Sequence, residues 1–200
     1  MSADFDLCKI DQVGWERTSS HFVDAGPHVG VEQATFRTPA RASASWTIVH
    51  RKAAVAIAPM LDDGRLVLLS QERIPVQRMT WEFPAGQIDA PLAEVSKELV
   101  DRAAITELRE ELGAELAKGA TLQPLGWYFP SPGFTQEHIY LFLARPVRIV
   151  AQATPQHGES FGDVRYVTPD ELRDMIARNE INNSLTLALF AKLTALRLID

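Results

Sequence analysis

From Trp81 to Gly113 the chain reads WEFPAGQIDAPLAEVSKELVDRAAITELREELG, an apolar, turn-forming approach that runs into a long helical pattern closed by glycine. The approach is Trp81, Phe83, Pro84, Ala85 and Gly86. Leu92, Val95, Leu99, Ala103, Leu108 and Leu112 supply an apolar stripe at approximately helical spacing, with Asp89 as N-cap, Pro91 in the first turn and Gly113 as the stop. That helix carries Glu107, Glu110 and Glu111 on one face. Like charges three and four residues apart each cost roughly 0.2–0.5 kcal/mol, so the cluster is mildly destabilising unless a cation sits on it. Carboxylate oxygens suit Mg²⁺ or Mn²⁺, hard ions that keep positions open for water and phosphate. The competing reading is a solvated acidic face. The surroundings decide between them.

Around this segment the chain alternates strand and turn signals. Residues 1 to about 50 hold short apolar stretches such as HFVDAGPHVGVEQATF, which predict a few β-strands joined by turns, one of them at Asp24-Ala25-Gly26-Pro27. So short a set of strands has a poor core of its own and must pack on the main domain or on a second subunit. The runs AAVAIAPML and LVLLSQER flank the turn Asp62-Asp63-Gly64-Arg65 and predict a hairpin feeding a buried sheet. A loop is expected between Ile74 and Thr80, then the strand-like WEF. After Gly113 two strand-like runs enclose the loop Pro130-Ser131-Pro132-Gly133, and TPQHGESFGD is a further polar loop before the short strand DVRYV. Thr168-Pro169-Asp170-Glu171 fits a capping box with proline at the first helical position, predicting a helix over about 169 to 178. A second amphipathic helix is expected from about Ser184, its leucines serving the core or a subunit interface.

Composition bounds the function. Two hundred residues with 46% hydrophobic and 23% charged content suit one ordinary globular domain with an appendage. A net charge of −6 and a pI near 5.4 argue against a sequence-independent nucleic-acid binder, which needs a basic stripe. Cys8 is the single cysteine, which excludes an internal disulfide. Nothing reaches membrane-spanning length, and the start MSADFDLCKID lacks the regions of a secretory signal, so a cytoplasmic protein with no membrane partner is expected.

The segment resembles the Nudix box, G-x5-E-x7-R-E-U-x-E-E-x-G-U with U aliphatic. Glu107, Leu108, Glu110, Glu111 and Gly113 fall on its second half, and Glu98 stands eight positions before the arginine slot. Two departures are visible. Thr106 occupies the arginine slot, and eleven residues separate Gly86 from Glu98 where the pattern has five. Since that arginine braces the box glutamates in the family, Arg102 or Arg109 is the candidate substitute. Gln71 to Arg73, WEFPAGQID, GWYFPSPGFTQE from Gly126 to Glu137, and the closing TPDELRDMIARNEINNSLTLALF are similar to the ADP-ribose pyrophosphatase branch.

The resemblance implies an α/β (α+β) fold, a Nudix-type α/β/α sandwich with a mixed β-sheet over residues 51–200, preceded by a small N-terminal β-strand region over 1–50 that serves as a dimerisation arm. It implies Mg²⁺ (or Mn²⁺) held by Glu107, Glu110, Glu111 and the carbonyl of Ala85, with Glu98 as an orienting carboxylate. Arg73, Glu82, Glu137 and Trp46 become candidate substrate contacts. Phe36, Trp127 and Tyr128 are further aromatic candidates for the base ring, any of which could equally be core. Glu159 is the candidate proton acceptor alongside Glu107 and Glu111, with His157 as an alternative in the same loop. The implied reaction is hydrolysis of a nucleoside diphosphate sugar, ADP-ribose to AMP and ribose 5-phosphate, by a homodimer. The competing readings are GDP-mannose or a dinucleoside polyphosphate as substrate, or a non-catalytic nucleotide-sugar sensor on the same fold.

Overall fold

The computed structural model describes residues 5–9, 14–26, 29–151 and 161–199. Three strands come first, β1 (Glu16–Asp24), β2 (Gly30–Arg37) and β3 (Ser43–His50), paired antiparallel in that order. Next come β4 (Ala54–Pro59), β5 (Leu66–Arg73), β6 (Arg78–Glu82) and β7 (Ala85–Gln87), then helix α1 (Lys97–Leu112). Strands β8 (Ala114–Tyr128), β9 (Ile139–Ile149) and β10 (Phe161–Val167) follow, and α2 (Pro169–Ala177) and α3 (Ser184–Ala195) close the chain. The central sheet runs β7-β4-β9-β8, with β4 and β9 parallel and the other pairs antiparallel. A second, antiparallel sheet runs β10-β5-β6.

Strand pleating assigns the core. Along β4, Val55 and Ile57 join Tyr140 and Phe142 of β9 against the Val100, Ala104 and Leu108 side of α1. The alternate residues Ala54, Ala56 and Ala58 join Ile139, Leu141 and Leu143 against Leu172 of α2 and Leu189 and Leu193 of α3. A strand covered on both faces has no polar side to show, so it reads as a continuous apolar run. Helices on both faces of a mixed sheet make the α/β/α sandwich that the sequence predicts. No helix among the described residues is long and apolar enough to cross a membrane.

Two local expectations change. The turn at Asp62 to Arg65 forms, with the Leu61 amide donating to the Arg65 carbonyl at 2.8 Å, yet β4 and β5 meet only at a Met60–Leu66 bridge and then part into different sheets. Both edges of β4 are already taken by β7 and β9, so β5 pairs with β6 and β10 instead. The helix also starts later than Asp89. Its N-cap is Ser96, whose hydroxyl accepts from the Leu99 amide at 3.3 Å, and the extra residues before it form a short 3-10 turn at Leu92–Glu94. Leu92 and Val95 pack on the α1-side core from that turn. Asp89 is drawn to Lys52, 2.5 Å away. Leu108 and Leu112 are buried as the stripe predicts, Val100 and Ala104 take the fully buried places expected of Leu99 and Ala103, and Glu111 joins them.

Gly113 stops α1 in the left-handed conformation at φ 60°, and its amide donates to the Arg109 carbonyl at 2.9 Å. The capping box at Thr168 and Glu171 forms in full. At the start of α3, the Asn183 side chain accepts from the Thr186 amide (2.9 Å) and donates to the Trp81 carbonyl (2.9 Å). Thr186, fully buried, accepts the Phe83 amide on its hydroxyl at 3.2 Å. These contacts fix the strand that leads into Pro84-Ala85-Gly86. The N-terminal sheet docks through the end of β3, where the Val49 amide donates to the Phe134 carbonyl at 2.7 Å and Trp46 Nε1 to the Gly133 carbonyl at 3.3 Å.

Because a buried amide left without its acceptor carries its full desolvation cost, Thr186→Val is expected to destabilise the fold by about 1–3 kcal/mol. Thermal unfolding followed by circular dichroism checks this, and an unchanged Tm contradicts the pinning role.

Candidate active site

The buried row of α1 ends in a carboxylate. Following Val100, Ala104 and Leu108 down the helix brings Glu111 under cover at 3% exposure, where its Oε2 accepts the Ala85 amide at 2.9 Å. One turn earlier on the same face, Glu107 lies against Gly86 so closely that a Cβ there would overlap its carboxylate. The missing side chain at 86 leaves the space that this carboxylate occupies. Glu110, half-buried, completes the three acids on this part of the helix. The structure thus gathers Ala85, Glu107 and Glu111 at one seam between β7 and the last turns of α1.

The chemistry of this donor set is uniform, with only hard oxygens on offer. Among the described residues no three carboxylate, imidazole or thiol groups come close enough together to hold a metal ion, so Glu107, Glu110 and Glu111 do not converge on one point. Glu107 and Glu111, beside the Ala85-Gly86 backbone, offer oxygens of the kind taken by Mg²⁺, an ion that binds through one or two carboxylates and completes its octahedron with water and ligand oxygens. Glu98 sits apart from the seam, exposed in the first turn of α1. Hydrogen bonds from its own amide and the Ser96 side chain hold its carboxyl below the usual range.

Arg73 closes β5 with its guanidinium on Glu82, Nε to Oε1 at 3.0 Å and Nη2 to Oε2 at 2.6 Å. Glu82 is 2% exposed and also accepts the Thr80 hydroxyl. Glu137 is largely covered and sits 2.9 Å from Arg51 Nε. Burial pushes its pKa above the carboxylate norm, and Arg51 pulls back. Trp46 is 47% exposed on the N-terminal sheet, edge-on to Trp15 at 6.0 Å. Phe36 lies beside Trp15, whereas Trp127 and Tyr128 are half-buried members of the two cores. Glu159 and His157 fall outside the described residues.

The bracing arginine is not found in either expected place. Arg109 is 74% exposed and reaches toward Glu115 at 4.0 Å, while Arg102 is exposed and makes no ion pair among the described residues. Residues that sequence reasoning missed lie in a chain of contacts from the N-terminal sheet. Buried Glu32 takes Arg17 at 2.6 Å and His50 Nε2 at 2.8 Å, and His50 Nδ1 meets the Gln136 side chain at 2.9 Å, next to Glu137. No local pattern marks such a chain, because its partners are far apart in sequence.

The NUDIX domain family model matches residues 50–189, a span that includes this glutamate-bearing helix, the turn it is seated on and the sandwich around them. The chain belongs to the NUDIX domain family. Among its relatives, the ADP-ribose pyrophosphatase of Mycobacterium tuberculosis is 29% identical over 174 residues, covering 87% of this chain and 80% of that protein. The ADP-ribose pyrophosphatase of Bacillus subtilis is 27% identical over 139 residues, 70% of each chain. A solved structure described as an ADP compounds hydrolase shares the fold with a TM-score of 0.74 at 17% identity, covering 94% of this chain and 96% of that one.

Gly86→Ala follows directly from the geometry. The methyl group meets the far end of a flexible side chain, so the protein is expected to fold while Glu107 is displaced. Titration with Mn²⁺ is expected to show weakened binding by about 10-fold or more at a Tm close to wild type; unchanged Mn²⁺ affinity contradicts the placement of Glu107.

Proposed function

We propose that this protein hydrolyses the diphosphate bond of a nucleoside diphosphate sugar, with ADP-ribose as the foremost substrate and AMP and ribose 5-phosphate as products. The observation that carries the reading is the seating of Glu107 and Glu111 together on the Ala85-Gly86 backbone. Similarity to two ADP-ribose pyrophosphatases supports the choice of substrate. Mg²⁺ or Mn²⁺ would be held by Glu107, Glu110, Glu111 and the Ala85 carbonyl. When bound, such ions neutralise the diphosphate and acidify a water molecule.

The chain's own residues then have distinct tasks. Arg73 offers a planar guanidinium to the phosphates and steadies negative charge as the bridging oxygen leaves. A carboxylate takes the proton of the attacking water, and on sequence grounds Glu159 is assigned that role, with Glu107 and Glu111 as the candidates within the seam. Glu137 follows the turn at Ser131 to Gly133, where a sugar or its phosphate would reach it, and Arg51 favours its ionised form. Trp46 stands exposed for an aromatic base. Exposed Phe22 and Trp46 on the small N-terminal sheet, with Trp15 just before its first strand, support a homodimer through that sheet.

Purified protein with ADP-ribose and Mg²⁺ is expected to release AMP, and Glu111→Gln to lower kcat on the order of 100-fold. Turnover of GDP-mannose or a dinucleoside polyphosphate in place of ADP-ribose changes the substrate and keeps the chemistry. Binding without turnover of any of them overturns the reading in favour of a sensor, and a monomer in light scattering at micromolar concentration removes the dimer.

A further inference from the structure

A carboxylate as buried as Glu82 needs a reason, because a buried ion pair is a poor source of stability. Its partners supply one. Gln71 lies opposite Thr80 and Leu69 opposite Glu82 in the β5–β6 register, which places Gln71, Arg73, Thr80 and Glu82 on one face of that hairpin. On that face Glu82 accepts two parallel bonds from Arg73, at 3.0 Å from Nε and 2.6 Å from Nη2, and the Thr80 hydroxyl adds a third. A side-on, two-bond grip fixes the plane of the guanidinium as well as its position, which a single contact cannot do. The Arg73 side chain as a whole is 40% exposed. Glu82 also stands three residues before Ala85, whose amide seats Glu111. One short stretch of backbone thereby sets the guanidinium and the box carboxylates relative to each other.

We propose that Glu82 is a positioning residue that holds the Arg73 guanidinium in one orientation for a diphosphate to dock against, without touching the substrate itself. This rests on the reading of Arg73 as a phosphate contact. It assigns to the carboxylate of the WEF segment a task that acts only through the arginine, so removing both residues costs no more than removing the arginine alone.

The test is a double-mutant cycle on Glu82→Gln, Arg73→Ala and the pair, read in two ways: Kd for ADP in metal-free buffer, and kcat/KM on ADP-ribose with Mg²⁺. Glu82→Gln is expected to weaken ADP binding about 10-fold, the order seen when a supporting partner of a binding group is lost. Arg73→Ala is expected to cost at least as much, and the double variant no more than Arg73→Ala alone. Added guanidinium ion is expected to restore binding to Arg73→Ala only while Glu82 is intact. Effects that multiply, or a lowered Tm with unchanged Kd in Glu82→Gln, overturn the proposal. If Glu82→Gln does not fold, Glu82→Asp, which keeps the charge and shortens the reach, takes its place in the same cycle. Non-multiplying losses in ADP affinity with no AMP released by the wild type uphold the positioning role and overturn the hydrolase reading. Multiplying losses in an active wild type do the reverse, and a wild type that binds no ADP overturns the positioning role.

Discussion

Glu111 is an acid on the buried face of an otherwise apolar helix row, and ionised carboxylates are costly to bury without hydrogen-bond donors. The Ala85 amide is the donor that meets it. This contact ties the last turns of α1 to the short strand β7, beside the place where Glu107 meets Gly86. The three residues of the turn divide the work. Pro84 offers its carbonyl to the Ile57 amide at 2.9 Å, Ala85 gives its amide to Glu111, and Gly86 leaves the space that the Glu107 carboxylate fills.

The rest of the molecule keeps that seam in register. Strands β4 and β9 are covered on both faces, which makes the central sheet rigid, and β7 hangs on the outer edge of β4. From the other side, α3 holds β6 by the Asn183–Trp81 and Thr186–Phe83 contacts, so the approach strand is fixed from a helix about a hundred residues further along. A second line of contacts runs from the N-terminal sheet through Glu32, His50 and Gln136 to the segment carrying Glu137. The small sheet, poor in core of its own, is therefore coupled to the segment that carries Glu137.

Local signals in the sequence proved reliable where the physics is local. Gly113 stops α1 because the left-handed cap favours a residue without Cβ, and Thr168 with Glu171 caps α2 within a single turn. Where two local solutions compete, the sequence is silent on the winner. Asp89 and Ser96 are both good caps, and the choice falls to Ser96 because Leu92 and Val95 pack from a separate turn while Asp89 meets Lys52. Strand pairing is likewise non-local: β4 and β5 share a turn yet belong to different sheets because the edges of β4 are filled by segments distant in sequence. The acidic face of α1 was legible from helical spacing alone, but that Glu111 would be buried and Glu82 turned toward Arg73 depended on neighbours that no spacing rule names.

The most direct measurement of whether the seam is an ion site is crystallographic: anomalous scattering from crystals grown with Mn²⁺ and a non-hydrolysable ADP-ribose analogue. The expected result is manganese bounded by Glu107, Glu110 and Glu111 with the Ala85 carbonyl, and the analogue's phosphates on the same ions. Manganese bound elsewhere, with Glu107 and Glu110 turned to bulk solvent beside a bound analogue, would contradict it.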